Sequence, residues 1–274
     1  MNWNTTGRWL GVLLIGMMAA GCGAAVKDNP AKQAPAKLAV GTSLYTLAEF
    51  TRQVGGERVA VTQFVPEGVE PHDWEPTPKD LAKLQAQRVF IYNGKGLEPW
   101  LDNAQKAVAG KGVAFVLASE GIASLAAAHE AGEGHGASAT HQHHHQDGGE
   151  DPHVWLDPLL AKQQVELIKT ALSKADPGGR EYYETRAQTY GRELDKLDQE
   201  YRAVVAKAAK REFVTTHAAF GYLAKRYGLQ QLAIMGVSPH AEPTPADLAN
   251  LVEAVKEHQI NVIFFETVIS PRLA

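Results

Sequence analysis

At 274 residues, 45% hydrophobic and 21% charged, the chain has an ordinary globular composition and enough length for two lobes, each with its own core. A formal charge of −4 with no basic run excludes a nucleic-acid surface, and a single cysteine excludes a disulfide framework.

Residues 1–21 carry one charge, Arg8, and the uncharged stretch from Trp9 to Ala20 falls short of the about 20 apolar residues a membrane span needs. This reads as a secretory signal. Ala19-Ala20-Gly21-Cys22 resembles a bacterial lipobox, with Ala19 where leucine is usual, and predicts lipidation at Cys22 and an extracytoplasmic, membrane-anchored chain. The alternative is cleavage nearby with Cys22 incidental. Residues 22–37 then form the lipidated N-terminus and a flexible tether.

Residues 38–177 read as a first α/β lobe. Strands Leu38–Ser43, Val59–Val65, Arg88–Tyr92 and Val113–Leu117 alternate with helices Leu44–Val54, Pro78–Gln87 and Glu98–Ala109, which predicts a parallel sheet with helices on both faces. The loop from Pro66 to Pro76 holds Glu70, His72, Asp73, Trp74 and Glu75 and follows a strand, where such sheets bind ligands. Residues 118–150 break the pattern and read as a surface loop. It contains His129, His135, His141, His143, His144 and His145, six histidines within seventeen residues, which is either an auxiliary metal-binding run or a solvated low-complexity insert. Directly after it, Asp151-Pro152-His153-Val154-Trp155-Leu156-Asp157-Pro158 brackets a histidine with two Asp-Pro pairs and opens a helix from Pro158 to Lys174. His153 is a turn cap or a metal ligand.

Residues 178–210 form the longest periodic segment. Tyr183, Ala187, Tyr190, Leu194, Leu197, Tyr201, Val204 and Ala208 recur at steps of four and three, a narrow apolar stripe on a helix of about 30 residues, or roughly 45 Å. A rigid spine joining two lobes is preferred to a coiled-coil dimer seam, and the chain is expected to be a monomer. The second lobe, 211–274, has strand Glu212–Thr216, His217, helix Ala218–Tyr227, a strand within Leu229–Val237, helix Pro245–His258 and strand Asn261–Glu266. Ser270-Pro271 announces a further helix, so this lobe reads as incomplete. The run Glu75-Pro76-Thr77-Pro78-Lys79-Asp80-Leu81-Ala82 recurs from Glu242 to Ala249 with seven of eight positions identical, which supports two related lobes.

His72, His153 and His217 each sit where a strand or loop leads into a helix. Three imidazoles at about 2.0–2.1 Å would make a zinc site with a fourth position for a carboxylate or water. No spacing rule brings these three together.

The motifs do more. Gly68-Val69-Glu70-Pro71-His72-Asp73-Trp74-Glu75-Pro76-Thr77-Pro78, the segment from Asp151 to Pro158, Thr216-His217-Ala218-Ala219-Phe220-Gly221-Tyr222 and Phe264-Phe265-Glu266 resemble the metal-binding solute-binding proteins of bacterial ABC importers, in their zinc-uptake branch. The resemblance runs from about Leu38 to Ala274. It implies two α/β lobes joined by one long helix, metal in the cleft between them, and His72, His153 and His217 as ligands. The manganese branch typically has a carboxylate at the third of these, so His217 favours Zn2+ over Mn2+. A further acidic ligand, usual beyond the Phe-Phe-Glu strand, is not matched; Glu70 is an alternative fourth ligand, and His240 reads as a loop residue.

The implied function is an extracytoplasmic receptor that binds Zn2+ and delivers it to an import permease with a cytoplasmic ATPase, with no catalysis. Imidazoles bind metal in their neutral form, so affinity should fall in acid. The alternatives are a zinc-storage or adhesin protein acting through the histidine-rich loop, a Mn2+ receptor of the same family, and a zinc hydrolase, against which stands the lack of any His-Glu-x-x-His pair.

Overall fold

The computed structural model describes residues 36–126, 149–237, 244–260 and 262–264. The signal, Cys22, the tether up to residue 35, the six loop histidines, His240, Glu266 and Ser270-Pro271 lie outside the described residues.

The first lobe begins with β1 (Leu38–Thr42), α1 (Tyr45–Gly55) and β2 (Val59–Gln63). It continues with α2 (Pro78–Gln85), β3 (Val89–Tyr92), α3 (Leu101–Ala107) and β4 (Ala114–Leu117). The four strands are parallel in the order β2-β1-β3-β4, with Val40 of β1 opposite Val61 and Val89. Successive residues of a strand point to opposite faces, and β3 divides its side chains accordingly. Val89 and Ile91 join the core under α1, while Phe90 joins Phe64, Leu84 and Trp100 on the face covered by α2 and α3. Both faces are therefore buried, as a parallel sheet requires.

After the histidine-rich region a short 3-10 turn (Val154–Leu156) leads into α4 (Pro158–Ala175), followed by α5 (Arg180–Lys207). Asp157 caps α4 by accepting from Leu159 N at 2.9 Å, and Pro158 supplies a preset φ at the first helical position. The turn between α4 and α5 is pinned to the start of β2. Arg58 donates to Asp176 at 2.7–3.0 Å, and the Tyr183 hydroxyl donates to the same carboxylate at 2.6 Å. A Cβ on Gly179 would lie 2.5 Å from the Arg58 guanidinium and 2.6 Å from the Tyr183 ring, so only glycine fits there.

The buried ridge of α5 differs from the stripe expected from sequence. Tyr183, Ala187 and Leu194 are buried as expected, and Tyr190 and Tyr201 pack half-buried against neighbouring clusters, but Asp198 and Val205 take the places assigned to Leu197 and Val204. Leu197 is 40% and Val204 68% exposed. The reason is geometric: a straight helix at 3.6 residues per turn drifts about 20° per heptad from a strict 3.5 repeat, so the buried line walks one residue along the chain. The helix thus packs as a globular spine. Its first half lies in the first lobe's core, and Val205 packs with Leu223 and Tyr227 of the second.

The second lobe contains β5 (Glu212–His217), α6 (Gly221–Tyr227), β6 (Gln230–Met235), α7 (Pro245–Glu257) and β7 (Ile263–Phe264), with parallel strands in the order β6-β5-β7. Helix α6 starts at Gly221, later than the expected Ala218, because residues 218–220 turn back: Ala218 N donates to Gly236 O and Ala219 N to His217 O, both at 3.0 Å. It ends on Gly228 in the left-handed region, φ 63°. Helices α2 and α7 open alike at the two copies of the repeat, on Pro78 and Pro245. At the first copy, Thr77 and Asp80 form a reciprocal capping box.

Candidate metal centre

Each of the three candidate histidines is held by a different local device. His72 lies in the loop between β2 and α2, folded by turns in which Val69 N donates to Pro66 O and Asp73 N to Glu70 O, each at 3.2 Å. The loop is anchored by Trp74, whose ring meets Trp100 edge-on at 5.1 Å. His153 opens the 3-10 turn before α4 and is 4% exposed. His217 is the last residue of β5 and 9% exposed, and its carbonyl accepts from Thr215 Oγ1 at 2.7 Å and Gln231 Nε2 at 2.9 Å.

These devices bring the three rings together. His72 Nε2 and His217 Nε2 each lie 3.4 Å from His153 Nε2. Among the described residues no group of three or more His, Cys, Asp or Glu side chains is set to hold a metal ion, so the trio is two close pairs sharing His153. A neutral ring nitrogen carries one N–H or one lone pair, so His153 Nε2 cannot make a good hydrogen bond to both neighbours. A cation between the rings would resolve this. Four tetrahedral ligands at about 2.0–2.1 Å from zinc stand roughly 3.3–3.4 Å apart, the spacing of both pairs.

Glu70, the alternative fourth ligand, faces its own loop: its Oε1 lies 3.4 Å from the backbone N of His72. His258 lies away from the trio, with Nδ1 3.7 Å from Glu212 Oε1.

The sequence reading missed the residues that carry the His153 segment. Asn93, at the end of β3, donates through Nδ2 to Pro152 O at 2.8 Å, and its own Oδ1 accepts from Gln164 of α4 at 3.1 Å. Beneath it Glu98 accepts from Ser43 Oγ at 2.6 Å and from Asn93 N and Gly94 N at 2.9 Å. Burial raises the Glu98 carboxyl above its usual range, and these donors partly pull it back. From the second lobe, Tyr222 OH donates to Asp151 O at 3.0 Å while accepting from Leu125 N at 3.0 Å, and Arg226 Nε donates to Asp157 Oδ2 at 2.5 Å. Asp151 itself contacts His153 through Oδ1, 2.9 Å from both the backbone N and ring Nδ1. The only prior signal for these residues was the acidic pair flanking His153.

The family model for ZnuA, the periplasmic component A of zinc-uptake complexes, matches residues 40–274. The chain is 42% identical over 270 residues to the high-affinity zinc uptake system protein ZnuA of Bacillus subtilis, covering 97% of this chain and 83% of that protein. It is 40% identical over 243 residues to the zinc-binding lipoprotein AdcA of Streptococcus pneumoniae, covering 89% of this chain but only 48% of that longer protein. The crystal structure of the Zn(II)-bound ZnuA-like domain of AdcA superposes with a TM-score of 0.71 at 37% identity, covering 87% of this chain and 82% of that one. These relatives are named for zinc uptake and zinc binding, and none of them as an enzyme. With the fold, the matched span and these identities in agreement, the chain belongs to the ZnuA family of zinc-uptake complex components.

Proposed function

We propose that the chain is an extracytoplasmic receptor that captures Zn2+ between its lobes with His72, His153 and His217 and passes it to an ABC import permease driven by a cytoplasmic ATPase. One observation carries the reading: two Nε2 pairs at 3.4 Å that share His153 and have the edge length of a tetrahedral zinc site. The all-imidazole set suits zinc better than Mn2+, which prefers oxygen ligands. In this reading Cys22 carries a lipid anchor, residues 38–177 and 211–274 form the two lobes, and the protein acts as a monomer. The histidine-rich run from His129 to His145 is an auxiliary collector and not the tight site.

The test is calorimetric titration of Zn2+, with Mn2+ as competitor, into a form starting after Cys22 and lacking residues 129–145. One tight zinc site that manganese does not displace is expected, and His153→Ala should remove it. A storage or adhesin protein working through the loop would lose nearly all its zinc on that deletion, and unchanged tight binding in His153→Ala would sink the ligand assignment.

A further inference from the structure

Asp151 is 2% exposed, and its Oδ1 stands 2.9 Å from both the backbone N and ring Nδ1 of His153. The backbone N–H can only donate, so Oδ1 acts as an acceptor there. A carboxylate oxygen that accepts from both calls for the proton on the ring nitrogen that faces it. A neutral imidazole protonated at Nδ1 has its lone pair on Nε2, the atom that lies 3.4 Å from both His72 and His217. The other carboxylate oxygen is enclosed by the second lobe: a Cβ on Gly221 would come within 2.7 Å of Oδ2. The Asp151 carbonyl is held as well, by the Tyr222 hydroxyl at 3.0 Å.

We propose that Asp151 is a positioning residue for the cation: it fixes His153 in the Nδ1–H tautomer, locks the ring's direction, and sets a buried carboxyl group behind the one imidazole shared by both close pairs. Carboxylates that hold a ligating histidine in this way fix its orientation and raise its basicity. The inference rests on the zinc-receptor reading. Three neutral imidazoles leave the full charge of the cation uncompensated, and Asp151 is the carboxylate placed directly behind one of them. A purely structural role, stapling the turn through the backbone N–H, would not require any particular tautomer of the ring.

The experiment uses the full chain in two steps. Long-range proton–nitrogen correlation spectra of the metal-free, nitrogen-15-labelled protein report which ring nitrogen of His153 is protonated. Nδ1–H is expected, and Nε2–H would overturn the proposal without any variant being made. Zn2+ affinity is then measured by competition with a chromophoric chelator for wild type, Asp151→Asn and Asp151→Ala, with the visible spectrum of bound Co2+ as a reporter of ligand geometry. Asp151→Ala should bind roughly 10- to 100-fold more weakly, with Asp151→Asn between it and wild type, and the Co2+ bands should change in both. Should the alanine chain fail to fold, the asparagine variant and the tautomer measurement decide. Wild-type affinity and an unchanged Co2+ spectrum in Asp151→Asn would overturn the proposal and leave the receptor standing. A wild type without a tight zinc site would instead remove the receptor reading, and the tautomer measurement would still decide the role of Asp151.

Discussion

His153 is shared by both close nitrogen pairs, so its loss should cost more than the loss of any residue around it. His153→Ala is expected to weaken zinc binding by more than about 100-fold, beyond the usual effect of removing a supporting group, as read by chelator competition. His217→Asp keeps three donors but exchanges an imidazole for a carboxylate. It should move the preference from Zn2+ toward Mn2+, measurable by competition between the two ions. Gly221→Ala offers a probe from the opposite lobe. Its methyl would press on the buried Asp151 Oδ2, so zinc affinity and thermal stability should both fall. The histidines were singled out in the sequence by motifs that resemble the zinc-uptake branch, since a place between Asp-Pro pairs or after a strand left their role open. Asp151 was not, because its role exists only through a contact that forms when the turn folds.

At the level of elements, periodicity identified α5 and its position between lobes but misplaced its buried line. A seven-residue repeat can be read from letters alone, whereas the drift of a straight helix against that repeat depends on whether a partner imposes supercoiling. The two readings of α5 separate by mutation. Leu197→Lys and Val204→Lys should each change stability by no more than about 0.5 kcal/mol, since both positions face solvent, whereas Leu194→Ala should cost about 2–5 kcal/mol in chemical denaturation. A coiled-coil seam along the expected stripe would make the two lysine substitutions costly as well. The parallel sheets were equally legible, since apolar runs such as Val89–Tyr92 between helices admit few other arrangements. The later start of α6 was not, because the turn at residues 218–220 is stabilised by Gly236 from a different element.

At the scale of the whole molecule, the segment carrying His153 is gripped from both sides, by Asn93 and Gln164 of the first lobe and by Tyr222 and Arg226 of the second. Arg226→Ala would leave the Asp157 carboxylate, whose side chain is 3% exposed, without its cation. Arg226 is partly exposed, so the destabilisation should fall below the about 3–5 kcal/mol typical of a fully buried pair, and it should be accompanied by weaker zinc binding. A second tie, at the turn between α4 and α5, makes the fold sensitive to acid. The Tyr183 hydroxyl and the Arg58 guanidinium hold the Asp176 carboxyl below the usual carboxylate range, and burial with that same contact pushes the Tyr183 hydroxyl up to about 12. A carboxyl with a depressed folded-state pKa contributes stability above its unfolded value of about 3.9 and loses it as pH falls through the folded value. Asp176→Asn should therefore lower stability at pH 7 and flatten its decline below about pH 4, compared by denaturant titration at the two pH values. Trp155 links these scales. Its ring lies 5.3 Å from that of His153 and packs against the first lobe's core and against the cluster containing Tyr222. An indole so close to the proposed ligands is a built-in optical gauge: zinc loading should alter the intrinsic emission, and Trp155→Phe should diminish that signal, leaving the share of Trp74 beside His72. Occupancy could then be followed without a dye, in the same solution that delivers the metal.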